Sequence, residues 1–138
     1  MKVNVMLDDG AIMPNRAHDF DAGLDLFSPK DICVCAHESA VIDTGVHVEI
    51  PDWYVGFLKS KSGLNVKHGI VGEGVIDAGY TGSIVVKLYN NSDRNYHIQK
   101  GDKIIQLVIL PIPNVELRLV DKFKETERGD NGFGSSGR

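Results

Sequence analysis

The chain has 138 residues, of which 42% are apolar and 25% charged, and its formal net charge is −4. These values are those of one soluble globular domain, and the negative charge argues against a general nucleic-acid binder. No apolar run reaches the ~18 residues of a membrane span, and MKVNVMLDDG has no hydrophobic signal region. We therefore expect an intracellular, cytoplasmic protein with neither a nucleic-acid nor a membrane partner.

Short β-strands separated by turns dominate the sequence. Segments such as VHVEI, SIVVKLYN and KIIQLVIL are alternating or rich in β-branched residues, and clusters of Pro, Gly, Asn and Asp bound them. The predicted strands, in chain order, span residues 3–6, 25–27, 40–42, 46–50, 54–58, 83–90, 103–110 and 115–120. Only residues 62–69 favour a short helical turn. The pattern predicts an all-β domain, a jelly-roll-like β-sandwich or barrel.

The carboxyl-terminal segment differs from the rest in composition. After Val120 the apolar alternation ends, and ERGDNGFGSSGR has four glycines in twelve residues. We predict a β-rich core at residues 1–122 and a mobile, glycine-rich arm at residues 123–138 that becomes ordered over a ligand. Ordering a backbone costs about 1–2 kcal/mol per residue, which keeps such an arm mobile until a ligand binds.

The cysteines and histidines form no recognisable metal motif. Cys33 and Cys35 lie two positions apart, too close to bridge each other comfortably, and are interpreted as packing residues. The five histidines show no ligand spacing, so each is interpreted as a surface or interface residue.

Two stretches place polar residues beside predicted turns. GEGVIDAGYTGSI, residues 72–84, is predicted to be a hairpin with Asp77 near its tip and Tyr80 close behind, which suits a general base beside a ring that packs on a sugar. The alternative is a turn aspartate and a cross-strand tyrosine. KSKSGLNVKHG, residues 59–69, places hydroxyls, a glycine and lysines where a helix start favours an anion. The alternative there is an ordinary surface turn.

Two further polar residues interrupt apolar strands. Asp25 lies between Leu24 and Leu26, an unusual place for a charge, and is interpreted as holding a metal-bound water. Gln106 interrupts KIIQLVIL. Because a buried amide needs hydrogen-bond partners, Gln106 either holds the core together or faces a polar site.

Five stretches occur in an order that is similar to the motifs of the trimeric dUTPase family. They are AGLDLFS, KSGL, GVIDAGYTG, GDKIIQL and RGDNGFGSSG, between residues 22 and 137. The resemblance implies hydrolysis of dUTP to dUMP and pyrophosphate, which limits uracil incorporation into DNA and supplies dUMP for dTMP synthesis. It also implies Mg²⁺ as cofactor and a homotrimer of jelly-roll subunits with active sites at subunit interfaces. A regulatory protein partner is left open.

The resemblance also implies a role for each motif residue. Asp77 is expected to activate the water that attacks the α-phosphorus, Gln106 to contact that water or a phosphate, and Asp25 to hold a water of the Mg²⁺ shell. Phosphate contacts are expected from Lys61, Ser62 and Gly63, uracil contacts from the backbone of Gly74, Val75 and Ile76, and deoxyribose packing from Tyr80. Further substrate contacts are expected from Lys87 and, in the arm, from Arg128, Phe133, Gly134, Ser135 and Ser136.

One residue departs from the family pattern, and two other functions stay open. Lys61 stands where the family usually has Arg; it keeps the charge but loses the bidentate fork, and Lys59 can share its role. The sibling deoxycytidine triphosphate deaminase would need a catalytic glutamate, for which Glu73 is the only candidate in its stretch. A β-sandwich binding module would require neither Asp77 nor the arm.

Overall fold

The computed structural model describes residues 1–137, which form ten β-strands and one short helix. The helix, α1, spans Ser62–His68. The strands are, in chain order, β1 (Asn4–Leu7), β2 (Leu24–Phe27), β3 (Ile32–Val34), β4 (Ser39–Glu49), β5 (Tyr54–Lys59), β6 (Ile70–Val71), β7 (Glu73–Asp77), β8 (Ser83–Asn90), β9 (Tyr96–Ile98) and β10 (Lys103–Pro111).

The strands form two four-stranded sheets and one two-stranded ribbon, and neighbouring strands are antiparallel. Sheet one has the order β1–β4–β8–β6, and sheet two has the order β2–β10–β5–β7. Strand β3 pairs with β9 in the ribbon. The predicted all-β, jelly-roll-like sandwich is therefore confirmed.

One hydrophobic core joins the two sheets. Along β8, Ile84, Val86 and Leu88 are buried while the residues between them are exposed or partly exposed. They belong to the same buried cluster as Leu58 and Leu107 of sheet two. Burial of this apolar surface, at about 25 cal/mol per Å², is the main term that holds the sheets together. The strand ends, where polar residues collect, are thereby fixed in place.

The predicted helical turn is confirmed as α1. Gly69 ends it in the left-handed region, with φ 67, and its N–H bonds back to the Asn65 carbonyl. Within residues 1–137, no helix has the length and apolar character that a membrane crossing requires.

The predicted hairpin at residues 72–84 is wrong. Strand β7 pairs with β5 in sheet two, whereas β8 pairs with β4 and β6 in sheet one. Residues 78–82 therefore connect the two sheets; we call this segment the β7–β8 connection. The sequence pattern predicted a strand at residues 83–90 and a turn near Asp77, but it carries no information on which partner each strand pairs with.

The predicted strand at residues 115–120 is also wrong. This segment pairs with no strand among the described residues, and Leu117 and Leu119 are 92% and 98% exposed. Its alternating apolar residues have the pattern of a strand, yet no sheet edge of the same chain receives it. The two strands predicted at residues 40–42 and 46–50 are parts of the single strand β4, which ends at Glu49 and has an irregularity in its pairing. The short strands β3, β6 and β9 were not predicted.

Candidate active site

A buried carboxylate between two lysines lies at one end of sheet two. Asp25, on β2, is 4% exposed. Lys61 Nζ lies 2.5 Å from Asp25 Oδ1, and Lys103 Nζ lies 2.8 Å from Asp25 Oδ2. The lysine side chains themselves stay 27% and 40% exposed. Two positive charges on one negative charge leave this group, which we call the Asp25 cluster, with an excess of positive charge near solvent.

The pKa of Asp25 reflects a balance between burial and the two lysines. Burial by itself raises the pKa, because the carboxylate loses hydration. Hydrogen bonds from Lys103 and Lys61, together with their charges, outweigh burial and lower the pKa below its ordinary 3.8. Asp25 is therefore ionised at neutral pH and holds both ammonium groups in place.

Gln106 occupies the same row of the sheet, because it pairs with Asp25 between β10 and β2. Its Nε2 donates to the carbonyl oxygen of Ser60 at 3.1 Å. The Ser60 hydroxyl in turn donates to the Gly72 carbonyl and accepts from the Gly72 N–H, both at 2.9 Å. Gln106 thus fixes the turn that precedes Lys61. Its contact with water or phosphate stays a prediction.

The start of α1 lies next to the Asp25 cluster. Lys61 is the N-cap residue, so Ser62 and Gly63 form the first turn. No side chain caps this end and its first turn has no acidic residue, which leaves backbone N–H groups for an external acceptor. A Cβ added at Gly63 would meet nothing within 4 Å, so the approach is open. The fold therefore brings these three predicted phosphate contacts together.

A second group of predicted residues surrounds the β7–β8 connection. The Asp77 carbonyl accepts from the Tyr80 N–H at 3.2 Å, and the Tyr80 hydroxyl donates to the Ser83 carbonyl at 3.0 Å. The exposed Asp77 carboxylate makes no hydrogen bond or ion pair with any of residues 1–137. A cavity of about 230 Å³ opens beside it, lined by Val75, Ile76, Asp77, Tyr80, Ser83 and Val85. We call it the Asp77 cavity.

The predicted uracil-reading residues lie on an edge strand. Gly74, Val75 and Ile76 are in the middle of β7, which is paired with β5 on one side only. On its other side, β7 has main-chain groups without a strand partner among the described residues. Such groups provide the donors and acceptors that the edge of a flat base requires.

Lys87 lies on the exposed face of β8, outside the lining of the Asp77 cavity. Its Nζ lies 5.1 Å from the centroid of the Tyr89 ring, in a cation–π contact. A contact between Lys87 and substrate stays a prediction.

The predicted arm residues form local turns on the surface. Arg128 Nε donates to the Asn131 carbonyl at 3.1 Å, and Phe133 is fully exposed with φ 51. The neighbouring Gly134, Ser135 and Ser136 are exposed as well. No hydrogen bond within residues 1–137 joins the arm to the Asp25 cluster or to the Asp77 cavity. Arg138, the last residue of the predicted arm, lies outside the described residues.

The two groups of predicted residues lie apart within one chain. Strand β7 runs from Glu73, which is opposite Lys59, to Asp77 at its far end. Gln106 and Asp25 continue the row of Lys59 across β10 and β2. Four residue steps along β7 correspond to roughly 13 Å, at about 3.3 Å per residue. One chain thus has the Asp25 cluster at one end of sheet two and the Asp77 carboxylate at the other.

The fit of these residues to a Mg²⁺ ion is limited to an indirect contact. Within residues 1–137, no three His, Cys, Asp or Glu side chains are grouped to hold a metal ion. Each Asp25 oxygen already accepts from a lysine, but a carboxylate has about four lone-pair sites and can also accept from a water. Asp25 therefore fits a water-mediated contact with a hydrated ion, as Mg²⁺ commonly makes.

Comparison with known sequences decides the family. The dUTPase family model matches residues 9–137. The deoxyuridine 5'-triphosphate nucleotidohydrolase of Clostridium tetani is 40% identical over 141 aligned residues, which cover 100% of this chain and 97% of that protein. The chain belongs to the dUTPase family. Enzymes of this family hydrolyse dUTP to dUMP and pyrophosphate, and the chain is accordingly a dUTP diphosphatase rather than a deaminase or a binding module.

Solved dUTPase structures share the fold. The dUTPase of Staphylococcus bacteriophage 80alpha with dUPNHPP has a TM-score of 0.92 and 38% identity, with 99% of each chain covered. A mutant dUTPase of phage phi11 of S. aureus, whose structure concerns a structural Mg(II) ion, has a TM-score of 0.82 and 36% identity, with 89% of this chain and 99% of that chain covered. The dUTPase jelly-roll architecture is therefore that of this chain.

Sequence reasoning missed three residues of these groups. Lys103 begins β10 and binds Asp25, while Ser83 and Val85 line the Asp77 cavity. A lysine at a strand start resembles any surface lysine, so its sequence gave no signal. For Ser83 and Val85, the pattern indicated only that the two residues lie on the same face of a strand, and it did not indicate a cavity.

Proposed function

We propose that, in the hydrolysis of dUTP by this dUTPase, Asp77 is the general base that activates water for attack on the α-phosphorus. The observation that carries the proposal is the Asp77 cavity, in which an exposed carboxylate without a described partner lies beside the Tyr80 ring. Tyr80 packs on the deoxyribose there. The unpaired edge of β7, along Gly74–Ile76, bonds to the uracil.

The Asp25 cluster and the start of α1 receive the triphosphate. Lys61 and Lys103 supply positive charge, and the N–H groups around Ser62 and Gly63 donate to phosphate oxygens. Gln106 contacts the attacking water or a phosphate from the same row, and Lys87 adds a further substrate contact. Asp25 orients both lysines, because each of its oxygens holds one of them.

The proposed cofactor is Mg²⁺. When bound, Mg²⁺ neutralises charge on the phosphates, and Asp25 contacts the hydrated ion through water. The lysines then stabilise negative charge that develops on the leaving pyrophosphate. The structural Mg(II) ion of the phage phi11 enzyme supports the choice of metal.

The complete site is assembled between subunits of a homotrimer. In one chain the Asp25 cluster and Asp77 lie at opposite ends of sheet two, so one chain does not bring base and phosphate site together. The exposed Leu117 and Leu119 support an interface, because apolar side chains two apart suit burial against another copy.

The arm at residues 123–138 closes over the assembled site. Phe133, fully exposed in the structure, stacks on uracil; Arg128 pairs with the γ-phosphate, and Gly134, Ser135 and Ser136 contact phosphate oxygens. Closure excludes water from the phosphates and offsets the entropy cost of ordering the arm.

Release of pyrophosphate from dUTP in the presence of Mg²⁺ tests this function. We expect turnover of dUTP, little turnover of UTP because Tyr80 leaves no room for the 2′-hydroxyl, and no ammonia from dCTP. Absence of pyrophosphate from dUTP, or ammonia release from dCTP, would contradict the proposal. A cytoplasmic location and a regulatory protein partner stay predictions; phage dUTPases are described as controlling the transfer of virulence genes.

A further inference from the structure

The β4 bulge, residues 43–47, clamps the segment that follows Tyr80. Pairing of β4 with β8 runs regularly to Asp43 opposite Val85 and resumes at His47 opposite Ser83, so β4 advances four residues while β8 advances two. Gly45 permits this path, since its φ of +66 favours glycine.

Three side chains of the bulge bind consecutive parts of that segment. The Ser83 hydroxyl donates to Asp43 Oδ1, and the Thr44 hydroxyl donates to the Ile84 carbonyl at 2.7 Å. His47 Nδ1 lies 2.7 Å from the carbonyl oxygen of Thr81. The bulge therefore holds the end of the β7–β8 connection that leads into β8.

The surroundings of His47 determine its protonation state. Nδ1 faces the Thr81 carbonyl, and Nε2 lies 3.2 Å from Asp8 Oδ1, at the end of β1. Both partners are acceptors, and only an imidazolium donates from both ring nitrogens. Asp43, which already binds Ser83, and Glu49, which accepts from the Asn4 amide, are further acidic groups near this face. Lys2 and Asp52 line a neighbouring cavity with Thr81. The His47 side chain is 18% exposed.

We propose that the His47 imidazolium is a positioning group for the β7–β8 connection, and that its loss of a proton loosens the Asp77 cavity. Thr81 follows Tyr80 directly, and Tyr80 bonds to Ser83 across the same connection. A neutral His47 would lose one of its two bonds, either to Thr81 or to Asp8. Loss of the bond to Thr81 would leave Asp43 and Thr44 as the contacts of the bulge with this segment, whereas loss of the bond to Asp8 would release the His47 ring from β1 and so hold Thr81 less firmly. This inference rests on the proposed role of the Asp77 cavity in nucleoside binding.

The pH at which loosening occurs follows from the direction of the pKa shift. The bond to the Thr81 carbonyl, followed by the bond to Asp8, raises the pKa of His47 above its ordinary 6.5 against the effect of burial. Because the folded value is raised, the stabilisation is complete below pH 6.5 and is lost as pH rises through the folded value. The cavity is thus tight below pH 6.5 and loosens at higher pH, as His47 loses its proton.

An NMR titration without nucleotide tests the inference apart from catalysis. The His47 ring signals, assigned with His47→Gln, should titrate above pH 6.5, and the amides of Tyr80, Thr81 and Gly82 should shift with the same midpoint. Asp8→Asn should lower that midpoint, whereas His97→Gln, which changes an exposed histidine on β9, should leave it in place. The proposal would be overturned if the amide signals of Tyr80, Thr81 and Gly82 did not shift with the titration of His47, or if His47 were neutral at pH 6.

The pH profile of KM then tests the link to substrate. KM for dUTP should rise through the His47 midpoint by roughly three- to tenfold, the scale of one lost hydrogen bond. In His47→Gln, which keeps an amide donor but does not titrate, this rise of KM with pH should be absent. Parallel KM profiles for the two proteins would refute the coupling. If the wild-type enzyme failed to hydrolyse dUTP, the proposed function would be refuted instead. The NMR titration would then be the test of the positioning role of His47.

Discussion

At the scale of single residues, the proposed chemistry depends on the exposed carboxylate of Asp77. Asp77→Asn keeps the size of the side chain but cannot accept a proton. We expect pyrophosphate release to fall by about 10²–10⁴-fold, the usual contribution of a general base, with KM for dUTP nearly unchanged. Asp9→Asn, at an exposed aspartate outside the site, is the matched control. A normal kcat in Asp77→Asn would eliminate Asp77 as the base.

The Asp25 cluster makes a second prediction at this scale, on stability and pH. Lys103→Met removes one of the two donors of a buried carboxylate. We expect a loss of about 1–2 kcal/mol in the free energy of unfolding near neutral pH, between the values for exposed and buried pairs, because Lys103 is partly exposed.

The pH dependence of that loss follows from the lowered pKa of Asp25. Stability from an ionised Asp25 is present above its ordinary 3.8 and is lost as pH falls through the folded value. The difference between wild type and Lys103→Met, measured by urea denaturation, should therefore be constant down to about pH 4 and shrink below it. A difference that grows on acidification would contradict the ion-pair explanation.

Sequence reasoning reached some of these residues and not others for physical reasons. Asp77 ends β7 and Tyr80 is three residues further on, so the turn pattern alone was enough to predict that the two residues lie close together. Lys103 is 78 positions beyond Asp25 and becomes its partner only because β10 pairs with β2. His47 acquires two acceptors in the same nonlocal way. Residue roles that depend on strand pairing were therefore out of reach.

At the scale of elements, the junction between β6 and β7 constrains the site. Gly72 lies between these strands, and a Cβ there would lie 2.9 Å from the Lys87 carbonyl oxygen and 2.9 Å from Leu88 Cδ2. Because one of these atoms belongs to the backbone, the strands would have to shift.

Gly72→Ala should therefore lower the free energy of unfolding by about 1–3 kcal/mol, the usual cost of overpacking. Gly63→Ala, at a position where an added Cβ meets nothing, should be neutral or slightly stabilising in the helix. The two variants should be compared by thermal denaturation. Equal melting temperatures for Gly72→Ala and wild type would show that the junction tolerates a side chain.

The elements also show where pattern recognition succeeds and fails. Residues 83–90 were predicted well, because a strand that packs one face on a core must alternate. Residues 103–110 were predicted well as a short apolar run bounded by turn residues. Residues 115–120 alternate equally well, yet lie exposed in the chain. Alternation indicates that a segment is suited to one buried face, but the surface that covers the face is a separate question.

The carboxyl-terminal arm makes a prediction at the same scale. Removal of residues 127–138 should leave the melting temperature unchanged, because the segment makes no described bond to the core, and should reduce pyrophosphate release strongly. Phe133→Ala should reproduce part of the loss through KM. Equal activity in the truncated and complete proteins would show that the arm has no role in the reaction.

At the scale of the whole molecule, the separation of the two groups on sheet two is the central feature. In the proposed function, a site that uses both the Asp25 cluster and Asp77 is assembled from different copies, so we expect oligomerisation to be a condition for activity. Mass measurement in solution should give three times the 15.1 kDa of the chain. A monomer with full activity would contradict this arrangement.

Complementation between two inactive variants tests the central claim most directly. Asp77→Asn lacks the base, and Lys61→Met lacks a phosphate contact while Lys103 still neutralises Asp25. When the two are unfolded together and refolded, mixed trimers should contain sites with an intact Asp77 from one copy and an intact Lys61 from another. We predict recovery of pyrophosphate release well above either variant alone, and none from a mixture of Asp77→Asn with Asp77→Ala. A mixture of the first pair that stays as inactive as its components would contradict a site shared between subunits.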